Sequence, residues 1–217
     1  MSSDLAAYPR PSVAVDVAVL TVDDESLNVV TVESRWGAAL PGTFLHPGET
    51  LADAARRALG AKARIEGLRF HQLRMFDDPD RDDRGWVLSM AHCAEAPIEA
   101  LPPGTALMPV QAGRPAEAMA FDHADMVSAA VSDLRTRYAE RPDPSRMLGD
   151  RFTLLDLRRL YDVVFDRSLP KDTFRRHVVG ALTGTGTTTS ASGGRPAELY
   201  ERRPDAAFPR SIAAILN

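Results

Sequence analysis

Leu40-Pro-Gly-Thr-Phe-Leu-His-Pro-Gly-Glu-Thr-Leu-Ala-Asp-Ala-Ala-Arg-Arg-Ala-Leu-Gly-Ala-Lys-Ala-Arg-Ile65 is the stretch on which the reading of the fold turns. Its first part is a Pro- and Gly-containing loop, and Thr50 with Asp53 three residues on forms a capping pair that opens a helix. Leu51, Ala54, Ala55, Ala58 and Leu59 then recur at helical spacing, so residues 50–62 are expected as an amphipathic helix. Positions 58, 61 and 62 stand at i, i+3 and i+4, where carboxylates would converge on one point and share a divalent cation. The chain instead places Ala58, Ala61 and Lys62 there, two methyls and an ammonium. Lys62 supplies a fixed positive charge where a cation would sit, and Glu49 alone does not hold a metal. Neither a metal site nor a catalytic residue is expected.

Of 217 residues, 44% are hydrophobic and 26% charged, enough for one large or two modest cores. The single cysteine, Cys93, forbids an internal disulfide and reads as a small buried residue in a reducing compartment. Asp16 interrupts the best apolar run, Val13 to Val22, and no signal peptide is visible. A cytoplasmic location with no membrane partner is therefore expected. The net charge of -4 conceals an asymmetry: residues 1–150 hold 15 Lys and Arg against 23 Asp and Glu, whereas residues 151–217 hold 11 against 7. A basic terminal piece on an acidic body suits a part that meets nucleic acid, or else a solvated charged face.

The two pieces are divided within Arg141-Pro-Asp-Pro-Ser-Arg-Met-Leu-Gly-Asp150, giving domains over 1–145 and 146–217. Ahead of that segment, alternating Val13, Val15, Val17 and Val19 and the β-branched run Leu27 to Val32 predict a hairpin through Asp23 and Asp24. Arg69 to Met75 and Trp86 to Cys93 read as further strands, and Asp125 to Tyr138 as a second helix. The charged loop from Phe76 to Gly85 is either a solvated turn or a phosphate grip through Arg81 and Arg84, whose guanidinium forks suit bidentate contact. Trp36 and Phe44 flank the helix loop, where they pack in the core or stack on a base. Asp122 is expected as a helix N-cap with His123 at the surface beside it.

The terminal piece opens on a second capping pair, Thr153 and Asp156, followed by an apolar face of Leu154, Leu157, Leu160, Tyr161, Val164 and Phe165. After a turn at Asp166 to Leu169, Pro170 suits the first turn of another helix, along which Phe174, Val178, Ala181 and Leu182 repeat. Two helices joined by a short turn are the skeleton of a helix-turn-helix. The outer face of the second offers Lys171, Thr173, Arg175, Arg176 and His177 to phosphates and base edges. Gly184 and Gly186 do not form a dinucleotide fingerprint, because no strand precedes them and no helix follows. Thr183 to Tyr200 is read as a β-hairpin wing, with Arg195 on its return strand, or as a Gly/Ser/Thr loop.

Together these segments resemble the Nudix-related transcriptional regulators of NAD metabolism. Thr43, Glu49 and Arg57 fall where a Nudix box has Gly, Glu and Arg, Ala58, Ala61 and Lys62 replace its helix carboxylates, and Arg64 replaces its closing Gly. Phe76 to Gly85, Phe152-Thr-Leu with Leu157, Thr173-Phe-Arg-Arg176 and Gly194-Arg-Pro-Ala-Glu-Leu-Tyr200 carry the rest of the likeness. The resemblance implies an α/β fold, a Nudix α/β/α sandwich with a mixed sheet followed by a winged helix-turn-helix domain. It implies a repressor, not an enzyme, that binds ADP-ribose or a related nucleotide as an effector, with no cofactor. A homodimer would meet a palindromic operator in double-stranded DNA. Candidate ligand contacts are Arg81, Arg84, Trp36 and Phe44, with Glu49, Arg57 and Lys62 from the box. The chain departs from the family at Gly42-Thr43 for Gly-Gly, at His46 for an acidic residue, and at Asp83 within Arg81-Asp-Asp-Arg84. The rival readings are a hydrolase using Glu49 with the loop acids Asp78 and Asp80, and a nucleotide-sensing scaffold that binds only proteins.

Overall fold

Both faces of the first strand are covered, which explains its unbroken apolar character. The computed structural model describes residues 8–23, 26–189 and 196–216. β1 (Ser12–Asp23) runs through the middle of a mixed sheet with β2 (Ser26–Val30), β5 (Gly42–Phe44), β6 (Phe70–Phe76), β7 (Val87–Glu95), β8 (Leu107–Gln111) and β9 (Arg114–Pro115). β3 (Val32–Ser34) and β4 (Gly37–Ala39) form a separate two-stranded arm. The order is β6-β7-β1-β2-β8-β9, with β5 also on β1; β1 and β7 are parallel and every other pairing in the sheet is antiparallel. β1 meets β2 in a hairpin whose last described pair is Asp23 with Ser26; Asp24 lies outside the described residues.

Alternation along β1 sends its residues to opposite cores. Val15, Val17 and Val19 pack with Ala54, Ala55 and Leu59 of α1 (Leu51–Ala58) and the turn after it. Ala18 and Leu20 pack with Met126, Val127, Ala130 and Leu134 of α2 (His123–Glu140). Helix, sheet and helix thus form the expected sandwich. The helix expected over 50–62 is shorter than that: the capping box of Thr50 and Asp53 forms, but α1 ends at Ala58 and gives way to a wider π-helical turn, Leu59–Ala63, closed by Arg64 at φ 58°. Gly60 weakens the α pattern within this turn, and Arg64 in the αL conformation ends the whole helical stretch, π-helical turn included, one residue beyond the expected bound.

Beyond Asp150 the chain builds β10 (Phe152–Thr153), α3 (Leu154–Val164), α4 (Lys171–Val178), β11 (Leu182–Thr188) and β12 (Glu198–Arg202), ending on a short α5 (Ala213–Leu216). Thr153 and Asp156 form the second capping box as expected. Pro170 stands at the N-cap of α4 and not within its first turn, and the helix stops at Val178, before Gly180 and a 3-10 turn. The sheet order β10-β12-β11 behind two helices makes a winged helix. The wing residues 190–195, and with them the expectation for Arg195, lie outside the described residues.

The joint between the halves is built on Asp143, which has no solvent-accessible surface. Its carboxylate pairs with Arg202 and accepts from Tyr138 Oη at 2.8 Å and from the Met147 and Leu148 amides at 2.9 Å each. Tyr161 donates its hydroxyl to the Tyr138 and Arg141 carbonyls, and one continuous apolar core runs from Leu20 and Val29 to Tyr161, Phe174 and Phe208.

Candidate ligand cleft and recognition helix

A cleft of about 670 Å³ opens beside the start of α2. The β3–β4 arm supplies Trp36, β5 supplies Gly42 and Phe44, the end of the π-helical turn supplies Lys62 and Arg64, and the charged loop supplies Arg81 and Arg84. Arg84 is the centre of the polar wall. Its guanidinium carbon lies 4.5 Å from the Trp36 ring centroid, 5.1 Å from Phe121 and 5.4 Å from Phe44. Nε and Nη2 donate to Asp82 at 2.8 and 2.5 Å, holding the Asp82 carboxyl below its ordinary pKa. Three aromatic faces and a buried carboxylate therefore fix this cation in one orientation.

Three of the expected contacts are spent within the protein. Arg81 donates from Nε and Nη2 to Asp122 at 2.8 and 2.6 Å, and its side chain is only 4% exposed. That pair fastens the charged loop to the start of α2. Asp122 stands at the N-cap of α2 as expected, but its carboxylate is taken by Arg81 and makes no capping bond. Glu49 and Arg57 do not line the cleft; Arg57 grips Glu49 through two 2.8 Å bonds and also donates to Thr43 Oγ1 and the Phe44 carbonyl. They brace the loop before α1, and the Arg57 bond lowers the Glu49 carboxyl to about 2.

The floor of the cleft holds residues that the sequence did not single out for it. Asp16 is buried on β1, accepts from Ser89 Oγ at 2.5 Å and lies 3.5 Å from His123 Nε2. His123 is buried as well, contrary to its expected surface position, because its Nδ1 accepts from the Leu40 amide at 3.0 Å. That bond leaves the proton of the neutral ring on Nε2, facing Asp16. Burial lowers the His123 pKa below its ordinary value. β5 passes so close that a Cβ on Gly42 would lie 1.8 Å from Asp16 Oδ1. A charged residue inside a β-branched strand was the signal available for this site.

Mg²⁺ does not fit the three box positions. Ala58 is buried in the core, and neither it, Ala61 nor Lys62 offers an oxygen donor.

On α4, Lys171, Arg175 and Arg176 are exposed, while Phe174 and Val178 enter the core. Thr173 and His177 are half-buried and engaged with each other, His177 Nδ1 lying 2.7 Å from the Thr173 carbonyl oxygen. Of the expected recognition set, three cations thus face outward and two residues brace the helix.

Fold and cleft define a Nudix-type α/β domain followed by a winged helix. Residues 144–201 match the family model of the NrtR DNA-binding winged helix domain. The chain is similar to the ADPR responsive transcriptional repressor NtrR of Acinetobacter baylyi, at 28% identity over 94% of this chain and 88% of that protein. Its structure is similar to Shewanella oneidensis NrtR in complex with a 27mer DNA, with a TM-score of 0.73 and 26% identity over 94% of this chain and 96% of that one. The first part shares its fold with the NUDIX domain of the same Shewanella protein in complex with ADP ribose, with a TM-score of 0.51 and 24% identity over 60% of this chain and 93% of that one. The chain thus resembles the Nudix-related transcriptional regulators over nearly its whole length.

Proposed function

We propose that this protein is a DNA-binding transcriptional repressor of NAD metabolism genes whose cleft binds ADP-ribose or a related nucleotide without cleaving it. The observation that carries the reading is the pairing, in one chain, of a nucleotide-sized cleft whose helix lacks metal-binding carboxylates with a winged helix presenting Lys171, Arg175 and Arg176. Hydrolysis of a pyrophosphate relies on metal-held water, and the box helix has no ligands for that metal. The division near residue 145, a cytoplasmic homodimer and a palindromic operator belong to the same proposal.

Within the cleft, the base lies against Trp36 and Phe44, and the diphosphate faces Arg84, Lys62 and Arg64. Asp16 repels phosphate and accepts from ribose hydroxyls. Ligand and DNA are linked through the dimer: a nucleotide that prefers the arrangement with the wrong half-site spacing weakens operator binding by its differential affinity, typically about 1–3 kcal/mol. A mobility-shift assay on the DNA upstream of the protein's own gene, with and without ADP-ribose, tests this. Arg175→Ala and Arg176→Ala are expected each to reduce the slope of log affinity against log salt by about one unit. Unchanged slopes, indifference to ADP-ribose, or release of AMP from ADP-ribose with Mg²⁺ would refute the proposal.

A further inference from the structure

His71, Cys93 and Asp133 come from three elements and meet outside the cleft. β6 and β7 set His71 and Cys93 opposite each other, and α2 brings Asp133 over the pair. His71 Nε2 is 2.9 Å from Asp133 Oδ2, and one donor atom from each of the three residues lies within 4.8 Å of the other two. Beside them, Cys93 Sγ donates to Glu95 Oε1 at 3.1 Å. Asp133 and Glu95 share one counter-ion, Arg137.

The charges of this cluster favour a further cation. Once a metal displaces the Cys93 proton, two carboxylates and a thiolate face a single guanidinium, an excess of two negative charges. A divalent ion cancels that excess, and the groups that oppose a bare thiolate are the ones that attract a metal.

We propose that His71, Cys93 and Asp133 form a binding site for a borderline-soft divalent transition metal, best matched by Zn²⁺, with Glu95 or water in the fourth position. Sulfur, imidazole nitrogen and carboxylate oxygen are the donors that tetrahedral zinc takes. As the metal–sulfur bond forms, the Sγ proton leaves to solvent and no electron is transferred. The ion enters from the outer side, where the His71 and Asp133 side chains are 41% and 30% exposed, and Cys93 forms the buried end. Coordination draws Asp133 Oδ2 from Arg137, whose Nη1 also reaches Ser145 Oγ at 3.4 Å.

Titration of the full chain with Co²⁺, followed by displacement with Zn²⁺ against a chromophoric chelator, tests the site. One equivalent of Co²⁺ is expected to raise a near-ultraviolet thiolate-to-metal charge-transfer band, which Zn²⁺ removes and Cys93→Ala abolishes. Asp133→Asn, at a position open to solvent, is expected to weaken Zn²⁺ binding by about tenfold or more, and it decides the matter should Cys93→Ala not fold. Co²⁺ binding without the band, a band that survives in Cys93→Ala, no binding at all, or unchanged Zn²⁺ affinity in Asp133→Asn would overturn the proposal.

Discussion

Replacing Asp143 with alanine removes the centre of the joint between the Nudix-type domain and the winged helix. Arg202, with a side chain only 15% exposed, would lose its counter-ion, and the Met147 and Leu148 amides and the Tyr138 hydroxyl would lose their acceptor. Breaking a buried ion pair from one side costs about 3–5 kcal/mol, because the remaining charge stays desolvated. Arg202 keeps the Asp143, Leu148 and Gly149 carbonyls as acceptors, which holds the expected loss to the middle of that range, about 4 kcal/mol. For a chain of this size about 1 kcal/mol corresponds to roughly 2–4 °C in melting temperature, so the variant should melt about 8–16 °C lower. Scanning calorimetry measures this directly and also reports whether one transition becomes two. Asp143→Asn preserves the volume and one acceptor oxygen, and should fall between the alanine variant and the parent. A melting temperature for Asp143→Ala within about 2 °C of the parent would show that the joint does not depend on this carboxylate, and the argument from buried charge would fail.

Gly42→Ala places a methyl on Asp16 Oδ1 and must displace either the carboxylate or β5, so nucleotide binding measured by calorimetry should be lost while the far-ultraviolet spectrum stays unchanged; full affinity would remove Asp16 from the cleft's working parts. His123 has a folded pKa below its ordinary 6.5, so the unfolded chain binds the proton more readily. Stability present above that value should therefore decline as the pH falls below it, until the folded ring also titrates. Denaturant melts at neutral and mildly acidic pH should show a flatter dependence in His123→Gln, and an identical slope would refute the assignment. Arg84→Ala should weaken ADP-ribose binding by roughly tenfold to a hundredfold, as expected for a lost charge-assisted contact of about 1.5–3 kcal/mol; an unchanged dissociation constant would move the diphosphate elsewhere.

What the sequence disclosed and what it withheld follow from the range of the interactions. Both capping boxes, at Thr50 with Asp53 and at Thr153 with Asp156, were legible because each is a three-residue motif that completes itself locally. The β3–β4 arm was not, since three-residue strands carry too little periodicity to register. Arg81 and Arg84 look equivalent in a charged loop. Only the fold decides that one meets Asp122, forty-one positions away, while the other stays among aromatic rings in the cleft. Asp16, Ser89 and His123 are likewise united by the parallel pairing of β1 with β7 and by the placement of α2, neither of which leaves a local trace.

α2 has its first turn at the cleft floor, through His123, and its last against Tyr161, through Tyr138, whose rings are 5.5 Å apart. Tyr161 in turn rests on Phe174 of α4 at 5.3 Å. With 18 residues, α2 is about 27 Å long, so each degree of tilt about one end displaces the other by roughly 0.5 Å. The helix thus has its first turn at the cleft floor and its last turn two rings away from the helix that carries Arg175 and Arg176, so the proposed ligand and the proposed DNA contact bear on opposite ends of one rigid element.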